Sequence, residues 1–230
     1  MLKRKIILLF WTHGNEYDKL IPCLNFIPKY LHWEYDVLCV NKKAVQENVR
    51  FLEKDMNRTA PWVQWSNIYE LARWYEVQNA IQKYDFVIDI HCTLSHCWVC
   101  IIFPIFTQDH KNILPSMPWE NAVLWQPENP NNWPITQFCT CWFELEVWPA
   151  NRENIEILWK SLWIFIDNIT NNKQQVFPHN IYKKVGILSR SNIIPEEDFS
   201  CLQHDGESVY SFLGKNRYKE DIGCYILKRI

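Results

Sequence analysis

Apolar and polar positions alternate along the chain in blocks that predict strands and helices in turn. Ile6–Phe10 is an unbroken apolar run, and the polar stretch from Thr12 to Asp18 follows it, which predicts a short buried strand and the loop after it. Leu20–Leu31 has helical apolar spacing, limited by Pro22 and Pro28. Tyr35–Val40 predicts a second strand ending at Asn41, and the polar stretch Asn48–Thr59 predicts a functional loop or short helix. Ile68, Leu71, Ala72, Tyr75, Ala80 and Ile81 place a helix over Asn67–Lys83. Phe86–Ile90 reads as a buried strand ending on His91, Val99–Ile105 and Phe143–Val147 as further strands, and Arg152–Ile169 as a long helix. This alternation predicts an α/β fold, a mixed sheet flanked by helices, over residues 1–172. After the polar linker Asn171–Gln175, short β-like runs at Lys183–Leu188, Glu207–Leu213 and Cys224–Leu227 predict a small β-rich C-terminal domain over 173–230.

Composition narrows the function classes. The 230 residues suffice for one large domain or a domain with a small appendage. Lys and Arg number 24 against 26 Asp and Glu, and no segment is strongly basic, so neither a nucleic-acid nor a membrane-surface role is expected. The first apolar run is too short for a secretion signal, and no stretch approaches the ~18 apolar residues of a membrane span. Nine scattered cysteines fit a reduced cytoplasmic protein better than a disulfide framework. Cys97 and Cys100 form a single C-x-x-C with no second pair at zinc-ribbon spacing. Self-association into a homo-oligomer is compatible with the chain and unspecified by it.

Three stretches carry candidate chemistry. His13 and Glu16, three residues apart in the loop after the first strand, can turn towards one cation, and His91 at the end of a later strand can supply a third ligand. Ligand sites in α/β sheets form at the carboxyl ends of strands, and two His with one Glu make a catalytic zinc set with one position left open. Asp89 shares a strand face with His91 and can orient its imidazole. Taken singly, each motif is as readily an ordinary polar loop; their joint placement is what points to a metal. Between Arg50 and Arg58, Arg58 can grip a carboxylate with Asn57 beside it, and Arg50 can stabilise a developing oxyanion; the bland alternative is a solvated charged turn. Glu144 and Glu146 share one face of an otherwise apolar strand, where a carboxylate is costly unless paired or used; one of them can serve as general base.

These residues resemble the aspartoacylase and succinylglutamate desuccinylase family, relatives of the zinc carboxypeptidases. Thr12–Glu16 resembles its zinc loop G-T-H-G-N-E, and Asn41 to Arg58 resembles N-P-x-A followed by R-Y-I-D-x-D-L-N-R. Asp89–Thr93 resembles D-L-H-x-T, and Glu144–Val147 with Pro149 resembles I-E-V-G-P. The four ordered blocks cover about the first 150 residues. The resemblance implies a zinc-peptidase-like α/β domain followed by a small β domain, and hydrolysis of the amide in a small N-acyl amino acid. It implies zinc held by His13, Glu16 and His91, Glu146 as general base and acid, and Arg50 on the scissile carbonyl. It implies further that Asn57, Arg58 and, by a looser alignment, Tyr225 bind substrate; Glu144 has no counterpart role. Alternatives in the same frame are a zinc carboxypeptidase acting on peptides and a non-catalytic relative with a binding role. The chain departs from the family at Lys42, where Pro is usual, and at Thr136, where the aspartoacylase branch has a substrate-binding Arg.

Tryptophan usage is anomalous. The chain has 13 Trp and 5 Gly, so Gly is about 2% where ~7% is usual. Trp11 and Trp148 stand where the resembling motifs have Gly, and Trp98 and Trp142 stand near such positions. Many of these tryptophans are expected to be UGA codons, which some bacterial lineages translate as glycine.

Overall fold

The computed structural model describes residues 4–25, 35–59, 66–92, 98–125, 141–148, 151–171, 175–189, 198–212 and 222–230. The first apolar run forms β1 (Ile6–Phe10), buried along its whole length. Such a run belongs in the interior of a parallel sheet, where both strand faces are covered. β1 pairs in parallel with β2 (Tyr35–Cys39) on one side and with β3 (Phe86–Cys92) on the other. β3 is flanked in parallel by β6 (Cys141–Trp148), and β6 pairs antiparallel with β4 (Trp98–Phe103). Parallel contacts then run from β4 to β5 (Asn121–Leu124) and from β5 to β7 (Asn180–Ser189). The antiparallel strands β10 (Ile222–Arg229), β9 (Glu207–Phe212) and β8 (Cys201–His204) complete a ten-stranded sheet of order β2-β1-β3-β6-β4-β5-β7-β10-β9-β8.

Alternation along the strands sorts side chains between two faces. Phe86, Ile88, Ile90 and Cys92 of β3 join Phe143, Leu145 and Val147 of β6 in the main core. That core is closed by helix α5 (Arg152–Asn171), which contributes Ile155, Leu158, Trp159, Leu162, Phe165 and Ile166 at helical spacing. The short helix α1 (Tyr17–Leu24), with Pro22 inside it, adds Leu20. On the opposite face Ile7, Leu9 and Val87 pack against Trp74, Val77 and Ile81 of helix α3 (Tyr69–Ile81). Asp89, His91, Glu144 and Glu146 follow the same alternation onto this second face. Helix α2 (Lys42–Glu47) starts on Asn41, whose side chain accepts from the Ala44 N–H, and ends on Asn48 in the left-handed conformation that Asn tolerates.

The predicted strands at 6–10, 35–40, 86–90, 99–105 and 143–147 and the two long helices are present, with shifted ends. The first helix starts earlier than its apolar spacing suggested; the continuation towards Leu31 falls outside the described residues. The sequence pattern does not give the short helix α2, the strands β5 and β8, or the polar helix α4 (Gln108–Ile113), which Thr107 and His110 open with a capping box. The C-terminal runs continue the main sheet through the β5–β7 ladder, and Tyr182, Phe212, Tyr225 and Leu227 share a cluster with Cys100, Ile102 and Val123. The expected division near residue 172 therefore falls between two parts of one sheet. Among the described residues, no helix is long and apolar enough to cross a membrane.

Candidate metal centre

The connection leaving β1 leads to β2 on one side, while β3 lies on the other, so strand order reverses at β1. The crevice beyond the carboxyl ends of strands at such a point is where α/β sheets bind ligands. His13 and Glu16 lie in the turn just past β1, in and before a 3-10 turn at Gly14–Glu16. The turn is pressed against α2: a Cβ on Gly14 would lie 2.1 Å from the Ala44 carbonyl carbon, so only glycine fits there. His91 is the penultimate residue of β3, still within the strand.

His13, Glu16 and His91 are all buried, with ligand atoms within 4.8 Å of one another. His13 Nδ1 is 3.1 Å from Glu16 Oε1, and His91 Nδ1 is 3.4 Å from Glu16 Oε2. A tetrahedron with metal–ligand bonds of ~2.0–2.1 Å has edges of about 3.3 Å, so these separations suit one zinc-sized cation. The remote nitrogens are also held. His13 Nε2 is 3.2 Å from Asp55 Oδ1, and His91 Nε2 is 3.0 Å from Asp89 Oδ2. The Thr12 hydroxyl donates to the Asp89 carboxylate at 3.0–3.1 Å. A carboxylate behind each imidazole fixes the ring and the tautomer that turns Nδ1 towards a metal.

Charge complementarity follows the same geometry. Burial raises the Glu16 carboxyl, but the His91 and His13 imidazoles outweigh it and hold the group well below the usual carboxylate range. For His91 burial favours the neutral ring, and the Asp89 and Glu16 carboxylates reverse this and push its pKa well above the ordinary value. Burial likewise raises Asp55, and His13, Arg50 and Arg58 carry it well below its usual value. The shifts favour a charged His91 imidazole among ionised carboxylates, a surrounding that suits a cation in place of the imidazole proton.

Glu146 is buried and is the Cα partner of His91 across the β3–β6 ladder; Glu144 is the partner of Asp89. Burial, then the neighbouring Asp89 and Glu146 carboxylates, outweigh the pull of His91 and Arg58 and raise Glu144 to about 7. Arg50 donates to Asp55 Oδ2 at 3.1 Å, which keeps its guanidinium on the His13 side of the cluster. Asn57 is buried, with Nδ2 3.3 Å from His91 Nε2, and Arg58 donates to the Asn57 carbonyl at 2.8 Å. Tyr225 lies on β10, and its ring is 4.5 Å from that of Trp125. It shares a cluster with Cys100 and Ile102, whose Cα partners on β6 are Glu146 and Glu144. Thr136 and Cys97 lie outside the described residues, and Cys100 is fully buried.

Sequence reasoning missed two residues. Asp55 joins His13 to Arg50, and its own N-cap bond to the Asn57 N–H shapes the turn. Glu70 of α3, fully buried, accepts the Leu52 N–H at 2.6 Å and the Glu53 N–H at 3.3 Å and so ties the 50–58 segment to the helix. The family model of the succinylglutamate desuccinylase/aspartoacylase catalytic domain matches residues 4–119, just over half the chain. The chain belongs to this family. The match takes in His13, Glu16, Arg50, Asn57, Arg58 and His91; Glu146 and Tyr225 lie beyond it.

Other comparisons agree with the family. A probable aspartoacylase of Prochlorococcus marinus is 27% identical over 111 residues, which is 44% of this chain and 38% of that relative. The matched segment thus spans well under half of the curated relative's length. Murine aminoacylase 3 superposes with a TM-score of 0.76 at 16% identity, over 99% of this chain and 95% of its own. The Vibrio cholerae succinylglutamate desuccinylase gives a TM-score of 0.65 at 13% identity, over 99% and 82% of the two chains. At these identities the structures establish the shared fold, a large mixed sheet flanked by helices.

Proposed function

We propose that this family member is a zinc-dependent amidohydrolase that cleaves the amide bond of a small N-acyl amino acid. The observation that carries the proposal is the His13–Glu16–His91 cluster, each imidazole backed by its own carboxylate, with Glu146 in register beside His91. His13, Glu16 and His91 hold the metal. When bound, zinc supplies a Lewis acid that polarises a carbonyl and acidifies water.

The remaining work falls to side chains. Glu146 accepts the proton that the attacking water sheds and returns it to the departing nitrogen, since an amide anion is too poor a leaving group. Its apolar strand keeps bulk water away from this exchange. Arg50 donates to the carbonyl oxygen as negative charge develops there. Asn57 and Arg58 take the substrate carboxylate; Tyr225 joins them on the strength of the family resemblance.

Metal analysis and an activity screen test this reading. Purified protein should bind one zinc per chain and, when loaded, hydrolyse at least one member of a panel of N-acyl amino acids that includes acetyl and succinyl derivatives. A zinc-replete protein inactive on the whole panel but releasing C-terminal residues from peptides would instead make it a carboxypeptidase.

A further inference from the structure

Two tryptophans occupy backbone that a tryptophan should avoid. Trp11, just past β1, has φ +59°, and Trp98, the first residue of β4, has φ +58°. In this left-handed region the Cβ of an L-residue crowds the following carbonyl oxygen, and glycine alone enters it freely. The other positive-φ residues show what ordinarily licenses the angle. Asn48 caps α2 and Asp205 turns the β8–β9 hairpin, both types that tolerate it. Phe199 is bulky, but its ring is packed 4.9 Å from Tyr182 and 5.3 Å from Phe212.

Trp98 has no comparable packing, and Trp11, whose ring packs 4.9 Å from Tyr17, meets a different objection. Trp98 is 63% exposed, so little packing offsets its strain. Trp11 is buried, but its indole N–H has no hydrogen-bond partner among the described residues, a group that is costly to bury unpaired. The indole N–H groups of Trp119 and Trp159 are buried and unpartnered in the same way. Composition points in the same direction: the 13 Trp and 5 Gly together make about 8% of the chain, close to the ~7% that glycine alone usually contributes.

We propose that residues 11 and 98 are glycine in the protein as its source organism makes it, their codons being UGA decoded by a glycine-charged tRNA. The inference rests on backbone angle and side-chain environment and does not depend on the proposed reaction. Not every tryptophan is included. Trp142 and Trp148 lie within β6 and are not among the positive-φ residues, and Trp74 lies inside α3, where glycine would weaken the helix. The change at residue 11 matters most for the site, because it removes an indole whose ring lies 4.9 Å from Tyr17, directly before the metal turn. With glycine there, the chain reaches its left-handed angle at residue 11 without strain.

The coding sequence and peptide masses of protein purified from the source cells decide the matter. UGA at codons 11 and 98, with both peptides at glycine mass, is the expected result. UGG at either codon, or a tryptophan mass at either residue, overturns the proposal, including the case of UGA read as tryptophan. In recombinant protein carrying the tryptophans, W98G should raise the thermal midpoint by about 1–3 °C, the relief of strain exceeding the entropy glycine adds to the unfolded chain. The control F199G, which discards a packed ring, should lower it. An unchanged or lowered midpoint for W98G would remove the argument from strain.

Discussion

The carboxyl end of β1, β3 and β6 and the far strands β7–β10 belong to one sheet but solve opposite problems. At the first, Thr12, His13, Glu16, Asn57, Asp89, His91, Glu144 and Glu146 are all buried, and most are joined in hydrogen-bonded chains. In the second, β7 and β9 alternate between covered and open positions, with Val185 and Ile187 facing solvent. Buried polar groups cost stability unless they are satisfied, so their concentration at one end marks where the fold has given up packing for chemistry. The far strands buy no chemistry of their own; they cover the flank of β4 and β5 and bring Tyr225 to the face that carries Glu146.

Ligand removal is the harshest way to break this contrast. His13→Ala or His91→Ala should abolish stoichiometric zinc, because one of three protein ligands is lost. Full zinc by metal analysis in either variant would sink the assignment of the centre. Next in size, Glu146→Gln should keep zinc while turnover falls roughly 10²–10⁴-fold, the usual contribution of general acid–base catalysis. Glu144→Gln should cost much less activity; the reverse ranking would mean that the strand is misread by two residues.

Glu144 also gives a signature in pH. Its pKa is about 7 in the fold against an ordinary value of 4.5, so the native state binds more protons than the unfolded chain between those values. Stability of the metal-free protein should therefore fall as pH rises from 4.5 to 7, and Glu144→Gln should flatten that fall in thermal midpoints.

Smaller effects sharpen the comparison. Asp55→Asn or Asp89→Asn should weaken zinc affinity by about 10–100-fold without removing a ligand, as loss of the group behind a metal-bound imidazole commonly does; competition with a chelator measures it. Arg58→Ala should chiefly raise KM and Arg50→Ala chiefly lower kcat, and an identical kinetic pattern in both would leave their separate roles unsupported. At the far end, Lys228→Ala removes an exposed ion pair with Glu207, 2.9 Å in length, and should leave both activity and thermal midpoint unchanged.

The sequence made local features legible and distant ones obscure. His13 and Glu16 are three residues apart, and Asp89 and His91 two, so each half of the centre could be recognised from a short motif. Asp55 could not be assigned to His13, because 42 residues separate them and Asp55 stands among other charges at 50–58. Glu70 carries no motif around it that would single it out; the fold of the 50–58 segment over α3 buries it. β5 is four residues long and gives little alternation to read, whereas Thr107 and His110 did offer a capping signal for α4. The β5–β7 ladder joins positions about 60 residues apart, such as Asn121 and Asn180, a pairing that hydrophobic periodicity does not encode.

Gly14 has an evolutionary consequence. Because the α2 backbone occupies the space where any Cβ would go, every single-nucleotide missense change at this codon should be eliminated, including the change to alanine that introduces no reactive group. Across descendants of this gene, residue 14 should therefore stay fixed even in lineages that have lost catalysis, provided that they keep the fold. His13 and Glu16, the residues proposed to hold zinc, should drift more readily in those same lineages, even though Glu16 also accepts the Cys92 N–H. A catalytically dead descendant would thus be recognised by a retained glycine between altered ligands.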